Sequence, residues 1–404
     1  MSIEVRSCQS TEEFFQAFGM IAHYFGGSPA EEERPHIAQV FEADRTLLAL
    51  EGSTPVGGAG AHTFELTVPG GFVPAAGVTI VGVAPMKRRR GILRSMMRAQ
   101  LDDVRRRGEP VAYLWASEES IYGRFGYGMS SLMGIVDLPK SECTFARAAA
   151  PRGEFRFVGI EDGYPAIASV YDRVRGDYPG MFSRREAWWK SRRIADLPSR
   201  RRGGGELNRV VLSLDGKDEG YALYRFNMGL DGGISSSTVN VVEAIGTTPE
   251  ATRQVWRYLF EIDWCARVKT MCLPVDHPLF FLLAHPRQMR MSIGDALWVR
   301  LVEVEAALSA RRYGQADPVV LEVTDPFCPW NDGHYRVDSD GAKRVDAPAD
   351  LALDIEGLGS VYLGGFSFTQ LALAGRAAEK NPGALRRADA LFRSDRLPWC
   401  PEIF

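Results

Sequence analysis

The run Val78-Thr79-Ile80-Val81-Gly82-Val83 is β-branched and apolar, stops at Pro85, and passes through Met86-Lys87-Arg88-Arg89-Arg90-Gly91 into a helical pattern starting at Ile92. No other stretch constrains the fold as much. A continuous apolar run of that length suits a strand buried on both faces, and such strands belong to sheets covered by helices. Ile92, Met96, Ala99 and Val104 then form one apolar stripe with arginines around it, the mark of an amphipathic helix over 91–107. A compact strand follows at 111–116. Upstream, phenylalanines at helical spacing predict a helix over 12–25, and 46–50 and 56–61 flank a hairpin turn. Residues 62–69 alternate until Pro69-Gly70-Gly71 breaks the pattern. Helices alternating with strands place the first unit in the α/β (α+β) class.

At about 150 residues per domain, the 404-residue chain calls for two or three domains. A polar, poorly patterned join lies near 140–152. Beyond it the mixed character repeats: a helix over 162–176, an Arg/Gly-rich loop at 199–205, strands at 210–214, 220–226 and 238–243, and a helix over 249–267. This order hints at a second copy of the first fold. The pattern shifts again from Trp298, with short strands at 319–323, 333–337 and 351–355 and helices over 367–375 and 381–394. Three domains fit best, at 1–145, 146–295 and 296–404.

A formal net charge of −3 offers no overall basic field for nucleic acid or anionic lipid. The six cysteines are scattered without CxxC spacing, against both a disulfide framework and a zinc site. Cys265, Cys272, His277 and His285 are near one another without metal-ligand spacing, so no metal is expected. Residues 1–15 carry acids where a signal peptide has its apolar core, and the longest aliphatic run, 279–284, is far too short to span a membrane. The expectation is a reduced, cytoplasmic protein that engages neither nucleic acid nor membrane.

The basic turn has chemistry of its own. A helix start leaves N–H groups unpaired and partly positive, a seat for pyrophosphate, and arginines beside it add bidentate contacts. It is neither a P-loop nor a dinucleotide fingerprint, since GxxxxGK[ST] and GxGxxG are both missing. A solvated basic cluster or a nucleic-acid patch is the alternative for this turn. Trp188 and Trp189 read as packing residues more readily than as an amine pocket, and the arginine triplets at 105–107 and 200–202 as solvated faces or subunit contacts.

Downstream, Leu114-Trp115-Ala116-Ser117-Glu118 leads into Ile121-Tyr122-Gly123-Arg124-Phe125-Gly126-Tyr127-Gly128. Together with the RRRGIL turn, this resembles the Eis-type (enhanced intracellular survival) N-acetyltransferases of the GNAT superfamily. The general GNAT loop is [QR]xxGx[GA]; here Arg88 and Gly91 match and Leu93 departs, in the manner of the Eis-type variant. DPFCPWNDGHYRV (325–337) and the terminal PWCPEIF are also family-like.

The resemblance implies tandem GNAT folds, one catalytic and one degenerate, plus a sterol carrier protein-like C-terminal domain, in a homohexamer built as a trimer of dimers. It implies acetyl-CoA as co-substrate. The backbone at Val81, Gly82 and Val83 would hold the pantetheine arm, and Arg89, Arg90, Gly91, Ile92, Leu93 and Arg94 the pyrophosphate. Ser117 and Glu118 would line the reactive end. Tyr122 would be the general acid and the α-carboxylate of Phe404 the general base, toward a primary amine of an aminoglycoside-like polyamine or a lysine side chain. A phenol, with its reference pKa about 10, keeps its proton at neutral pH; a terminal carboxylate, about 3.5, is a poor base for an ammonium and mainly orients it unless burial raises it or a water relays the proton. A polycation would want acidic walls, for which Glu31-Glu32-Glu33, Asp44 and Glu402 are candidates. The alternative is a catalytically inactive ligand-binding protein on the same scaffold.

Overall fold

The computed structural model describes residues 3–148, 150–201 and 203–404. The first unit comprises strand β1 (Ile3–Ser7), helices α1 (Thr11–Ala22) and α2 (Arg34–Val40), strands β2 (Leu47–Glu51), β3 (Thr54–Val68) and β4 (Gly71–Val83), helix α3 (Ile92–Arg106) and strand β5 (Val111–Trp115); β1, α2 and the first half of β4 are not expected from the sequence. Helix α1 starts where Ser10 accepts a hydrogen bond from the Glu13 amide, satisfying one of the orphan donors of a helix start. Strands β1 to β4 pair antiparallel in sequence order, and β5 joins β4 in parallel. Helix α3 buries Ile92, Met96 and Val104, three of the four stripe residues read from the sequence, together with Met97 and Leu101, while Ala99 is only half-buried.

Two irregularities prepare the site. The β3–β4 register slips between Gly58 and Gly60, so β4 carries one extra residue; Ile80 sits in this bulge at φ +50°. The parallel β4–β5 ladder runs only from Ala75↔Val111 to Gly77↔Tyr113. Residues 78–81 are thus bulged on one side and free of the β5 ladder on the other.

The second sheet repeats the first strand for strand. From its outer edge it orders Glu154–Phe157, Leu207–Leu214, Lys217–Asn227, Thr238–Gly246, Arg267–Leu273, Leu132–Pro139 and Ser292–Asp295; the first sheet is completed by Leu297–Leu301 and Gly128–Met129. After the seventh strand of each sheet, the chain crosses over to supply the sixth strand of the other. Strand Leu132–Pro139, within the 1–145 span, therefore lies in the second sheet, and Leu297–Leu301, within 296–404, lies in the first. Strand pairing across such distances depends on which edge is available after both units form, and local pattern carries no record of it.

The third unit is a five-stranded sheet, ordered Gly341–Val345, Gly333–Asp338, Val319–Thr324, Leu351–Asp354 and Ala377–Glu379. Its core is continuous with one face of the first sheet, where Phe64, Leu66, Val299 and Leu301 meet Val319, Leu321, Leu358 and Val361. Each such side chain contributes roughly 1.5–3 kcal/mol on burial, so this unit is a structural wall rather than a tethered appendage. The approach is close: a Cβ on Gly128 would collide with the Glu356 carbonyl, which explains a glycine in the Tyr127-Gly128 pair. Arg311, buried inside the unit, donates to the Tyr362 and Phe392 carbonyls. Among the described residues, no helix is long and apolar enough to cross a membrane.

Candidate active site

The basic turn is a helix start with nothing capping it. Gly91 is the N-cap of α3 at φ +81°, a conformation that favours glycine, and no side chain accepts from the first-turn amides of Ile92, Leu93 and Arg94. Those donors and the positive end of the helix face outward together. The arginines of the turn have divided tasks. Arg88 stacks over Tyr24 at 4.8 Å and donates to its hydroxyl at 3.0 Å, while that hydroxyl donates to the Val83 carbonyl at 2.8 Å. Arg90 and Lys87 clasp Glu51 at 2.6 and 2.5 Å and hold its carboxyl down to about 2. Arg94 lies 5.1 Å over the Phe327 ring. Arg89, in a left-handed conformation at φ +62°, is exposed and forms no ion pair among the described residues. It is the turn's free guanidinium.

Inward of the turn, the bulged strand opens on a cavity of about 1200 Å³. Val78 to Val81 form one wall, Ala116 and Ser117 at the end of β5 another, and Tyr122 and Phe404 close it. Helix α4 (Glu119–Tyr122) delivers Tyr122, which is buried; burial pushes its phenol up to about 12, opposed by a hydrogen bond with Ser117. The ring of Tyr127 stands 6.0 Å from that of Tyr122, fully buried and outside the cavity lining. Phe404 wedges its ring edge-on among Phe64, Tyr113 and Phe182 at 5.1 to 5.5 Å, and the Thr79 hydroxyl donates to its carbonyl oxygen at 3.4 Å.

The tail reaches this point by being held along the second unit. The Trp399 amide donates to the Pro179 carbonyl at 2.7 Å and its indole to the Cys272 carbonyl. Arg193 donates to the Pro401 carbonyl at 3.2 Å and Arg192 to that of Ile403 at 3.0 Å. The Glu402 carboxylate stands 3.0 Å from Arg184 Nε as an ion pair and accepts from the Trp188 indole at 3.0 Å. Arg184 and Arg193 in turn pair with Glu243 at 2.7 and 2.8 Å, and Tyr221 donates to that carboxylate. Burial opposes the charge on Glu243, but the two guanidinium groups outweigh it and hold its carboxyl down to about 2. Arg184 and Glu243 have fully buried side chains, so the tail rests on a closed ionic lattice.

The residues nominated from the sequence therefore fall into groups. Val81, Ser117, Tyr122 and Phe404 line one cavity. Gly82 is buried beneath the α1 backbone at Met20 and Ile21, and Val83 anchors Tyr24. Arg89, Arg90, Gly91, Ile92, Leu93 and Arg94 form the turn, with Ile92 turned into the core. Glu118 is exposed and outside the cavity lining. Trp188 and Trp189 are core residues. Of the acids suggested as cavity walls, Glu33 lines it and Glu402 is consumed by Arg184 and Trp188; Asp44 sits elsewhere, on Arg107 at 3.0 Å. Arg202 of the second arginine triplet lies outside the described residues. Sequence reading missed Arg192, Arg193 and Arg225 and read Arg200 as part of a solvated face or subunit contact; the second unit contributes all four to the cavity. A bulge residue such as Ile80 and a cation on a distant loop leave no signature in local pattern. Among the described residues, no group of three or more His, Cys, Asp or Glu side chains could hold a metal ion.

Comparison with known proteins agrees with this architecture. The models of an acetyltransferase (GNAT) domain match residues 4–130 and 180–301, and that of a sterol carrier protein domain matches 304–401. An uncharacterized N-acetyltransferase of Streptomyces avermitilis is 40% identical over 390 residues, 94% of each chain. The N-acetyltransferase Eis of Mycobacterium tuberculosis is 35% identical over 358 residues, 85% of this chain and 84% of that one. The crystal structure of Eis1 from Mycobacterium abscessus superposes with a TM-score of 0.86 at 33% identity, covering 99% of this chain and 100% of that one. This chain belongs to the Eis-type N-acetyltransferases. The Eis-type fold has two GNAT units and a sterol carrier protein-like unit, and it makes the protein an acyltransferase whose GNAT fold implies acetyl-CoA binding. The reading as a catalytically inactive binding protein gives way to an Eis-type enzyme.

Proposed function

We propose that the enzyme moves an acetyl group directly from acetyl-CoA to a primary amine, with Tyr122 as general acid and the carboxylate of Phe404 orienting the incoming ammonium and receiving or relaying its proton. The observation that carries this reading is the convergence of the bulged β4 strand, Ser117, Tyr122 and Phe404 on one cavity. The uncapped α3 amides with Arg89 and Arg94 serve the pyrophosphate, and the backbone of residues 79–81 and Ser117 the pantetheine and thioester end. Arg90 supports this frame from its rim through Glu51. The amine nitrogen attacks the thioester carbonyl, the C–S bond breaks, and the Tyr122 hydroxyl supplies the proton to sulfur. The proton shed by the ammonium balances it. A phenol held near 12 is a weaker acid than a thiol, so its transfer to the departing thiolate is uphill alone and is completed as the proton shed by the ammonium returns to the phenolate. No covalent enzyme intermediate is needed. A homohexamer and a cytoplasmic location belong to the same reading, the latter supported by six unpaired thiols.

Removing only the donor tests the assignment. Tyr122→Phe should lower kcat by about 100-fold or more while leaving the calorimetric Kd for acetyl-CoA within a factor of about two. Unchanged turnover removes Tyr122 from the mechanism.

A further inference from the structure

The cavity walls have two chemistries. On the α1 side they are apolar and aromatic, with Phe18, Phe25, Phe41 and Trp115 leading to Phe404. On the side of the second unit they carry Arg192, Arg193, Arg200 and Arg225. Two of these are spent within the fold, Arg193 on Glu243 and Arg225 on Asp196 at 2.6 Å. The other two are under-used. Arg192 donates once, to the Ile403 carbonyl, and its Nε stands 3.6 Å from Glu402. Arg200 donates once, to the Ser191 carbonyl at 2.8 Å, and its Nε stands 3.5 Å from Glu33. A guanidinium has five N–H donors, so most of theirs are free for a ligand.

The acidic side chains are fewer. Glu33 accepts from the Ser199 hydroxyl at 2.8 Å and faces Arg200; Asp295 accepts from the Trp298 indole at 2.7 Å. Two acidic side chains thus stand against four guanidinium groups among the described lining residues, so a polycation meets net positive charge on these walls. Burial presses both Arg192 and Arg200 below the usual guanidinium value, with Glu402 and Glu33 opposing it only in part. An oxyanion placed between them would relieve that cost with charge-assisted, bidentate contacts.

Resting on the acetyl-transfer reading, we infer that the acceptor is amphoteric: a monoamine on an aromatic body whose far end carries a carboxylate recognised by Arg200 and Arg192. The amine faces the Phe404 carboxylate and the acid faces the arginines, so the two ends fix the orientation between them. Benzylamine against para-(aminomethyl)benzoate, and phenethylamine against para-(2-aminoethyl)benzoate, form matched pairs that differ only in the acid. In a thiol-release assay, the acid of at least one pair should exceed its partner in kcat/KM by about tenfold or more, the size expected for a charge-assisted hydrogen bond. In Arg200→Gln that ratio should collapse toward one. Para-toluate, which lacks the amine, should inhibit the wild-type enzyme competitively against the preferred amine, a readout that holds even if the variant fails to fold. Equal rates within both pairs, no inhibition by para-toluate, or higher kcat/KM for spermidine or an aminoglycoside than for the acids would each overturn the inference. Absence of thiol release with every amine, while acetyl-CoA still binds, would instead bring down the acetyl-transfer reading and this inference with it.

Discussion

The two GNAT units share one strand order and part company at the helix after the fourth strand. In the first unit, α3 starts at an uncapped Gly91 behind a run of cations. In the second, helix Pro249–Glu261 starts at Thr248, whose hydroxyl accepts from the Ala251 amide, with Pro249 and Glu250 in the first turn. One donor is already satisfied, one is removed by proline, and an acid stands where a phosphate would sit. The open ladder tells the same story. The parallel pairing of Thr238–Gly246 with Arg267–Leu273 ends after Val241↔Thr270, as its counterpart does in the first unit. There the chain's own tail, not a ligand, meets the parting strands, through Trp399 on Cys272 and Arg193 bridging Val242 and Pro401. The parting of strands that opens the cavity in the first unit holds an extended peptide in the second.

The sharpest way to break this contrast is to loosen the tail. Glu243→Ala removes the carboxylate that Arg184 and Arg193 share and leaves Glu402 to offset both buried guanidinium groups, which cannot shed their protons; it should cost about 3–5 kcal/mol of stability by denaturant unfolding. In the surviving folded fraction, kcat should fall with the acetyl-CoA Kd unchanged. Appending a few residues after Phe404 should lower kcat by about 100-fold by moving its carboxylate, again without weakening acetyl-CoA; a fully active extended enzyme would refute a role for that carboxylate.

Two smaller changes separate the helix starts. Arg89→Ala should raise the acetyl-CoA Kd by roughly tenfold, read by calorimetry. Thr248→Ala should leave that Kd alone and remove only an N-cap, about 1 kcal/mol of stability. If both variants bind acetyl-CoA equally, the division of labour between the units is wrong. Smallest is a pH effect. Burial raises the Tyr122 phenol from about 10 to about 12. Its stabilising contribution is therefore complete below about 10 and is lost only as pH rises through about 12, and the same holds for its proton. The kcat profile should show no loss of the acid form up to pH about 10; an alkaline fall near 9 that disappears in Tyr122→Phe would contradict the burial.

Much of the first unit was legible because its signals are local. The β-branched run, the proline stop, the glycine at the helix start and the stripe on α3 each act within a few residues. The chemistry of the turn could be read the same way, although the Arg89–Arg90 division could not: Glu51, which takes Arg90, lies 39 positions upstream. Phe404 was legible only through the resemblance, since nothing local tells a held tail from a frayed one. The exchange of strands 132–139 and 297–301, the lattice of Arg184, Glu243 and Glu402, and the arginines facing the cavity were not legible. Each joins residues far apart in the chain, and charged residues in a sequence look alike whether they end up solvated or buried.

The sequence by itself determined the class of fold, the three units and a helix start behind a run of cations, because backbone propensity and hydrophobic period are properties of neighbours. Tertiary structure alone decided which helix start stays open, where the tail ends and what charge the cavity presents. Those outcomes follow from packing and from which buried ions find partners, and both are settled only when distant segments close on one another.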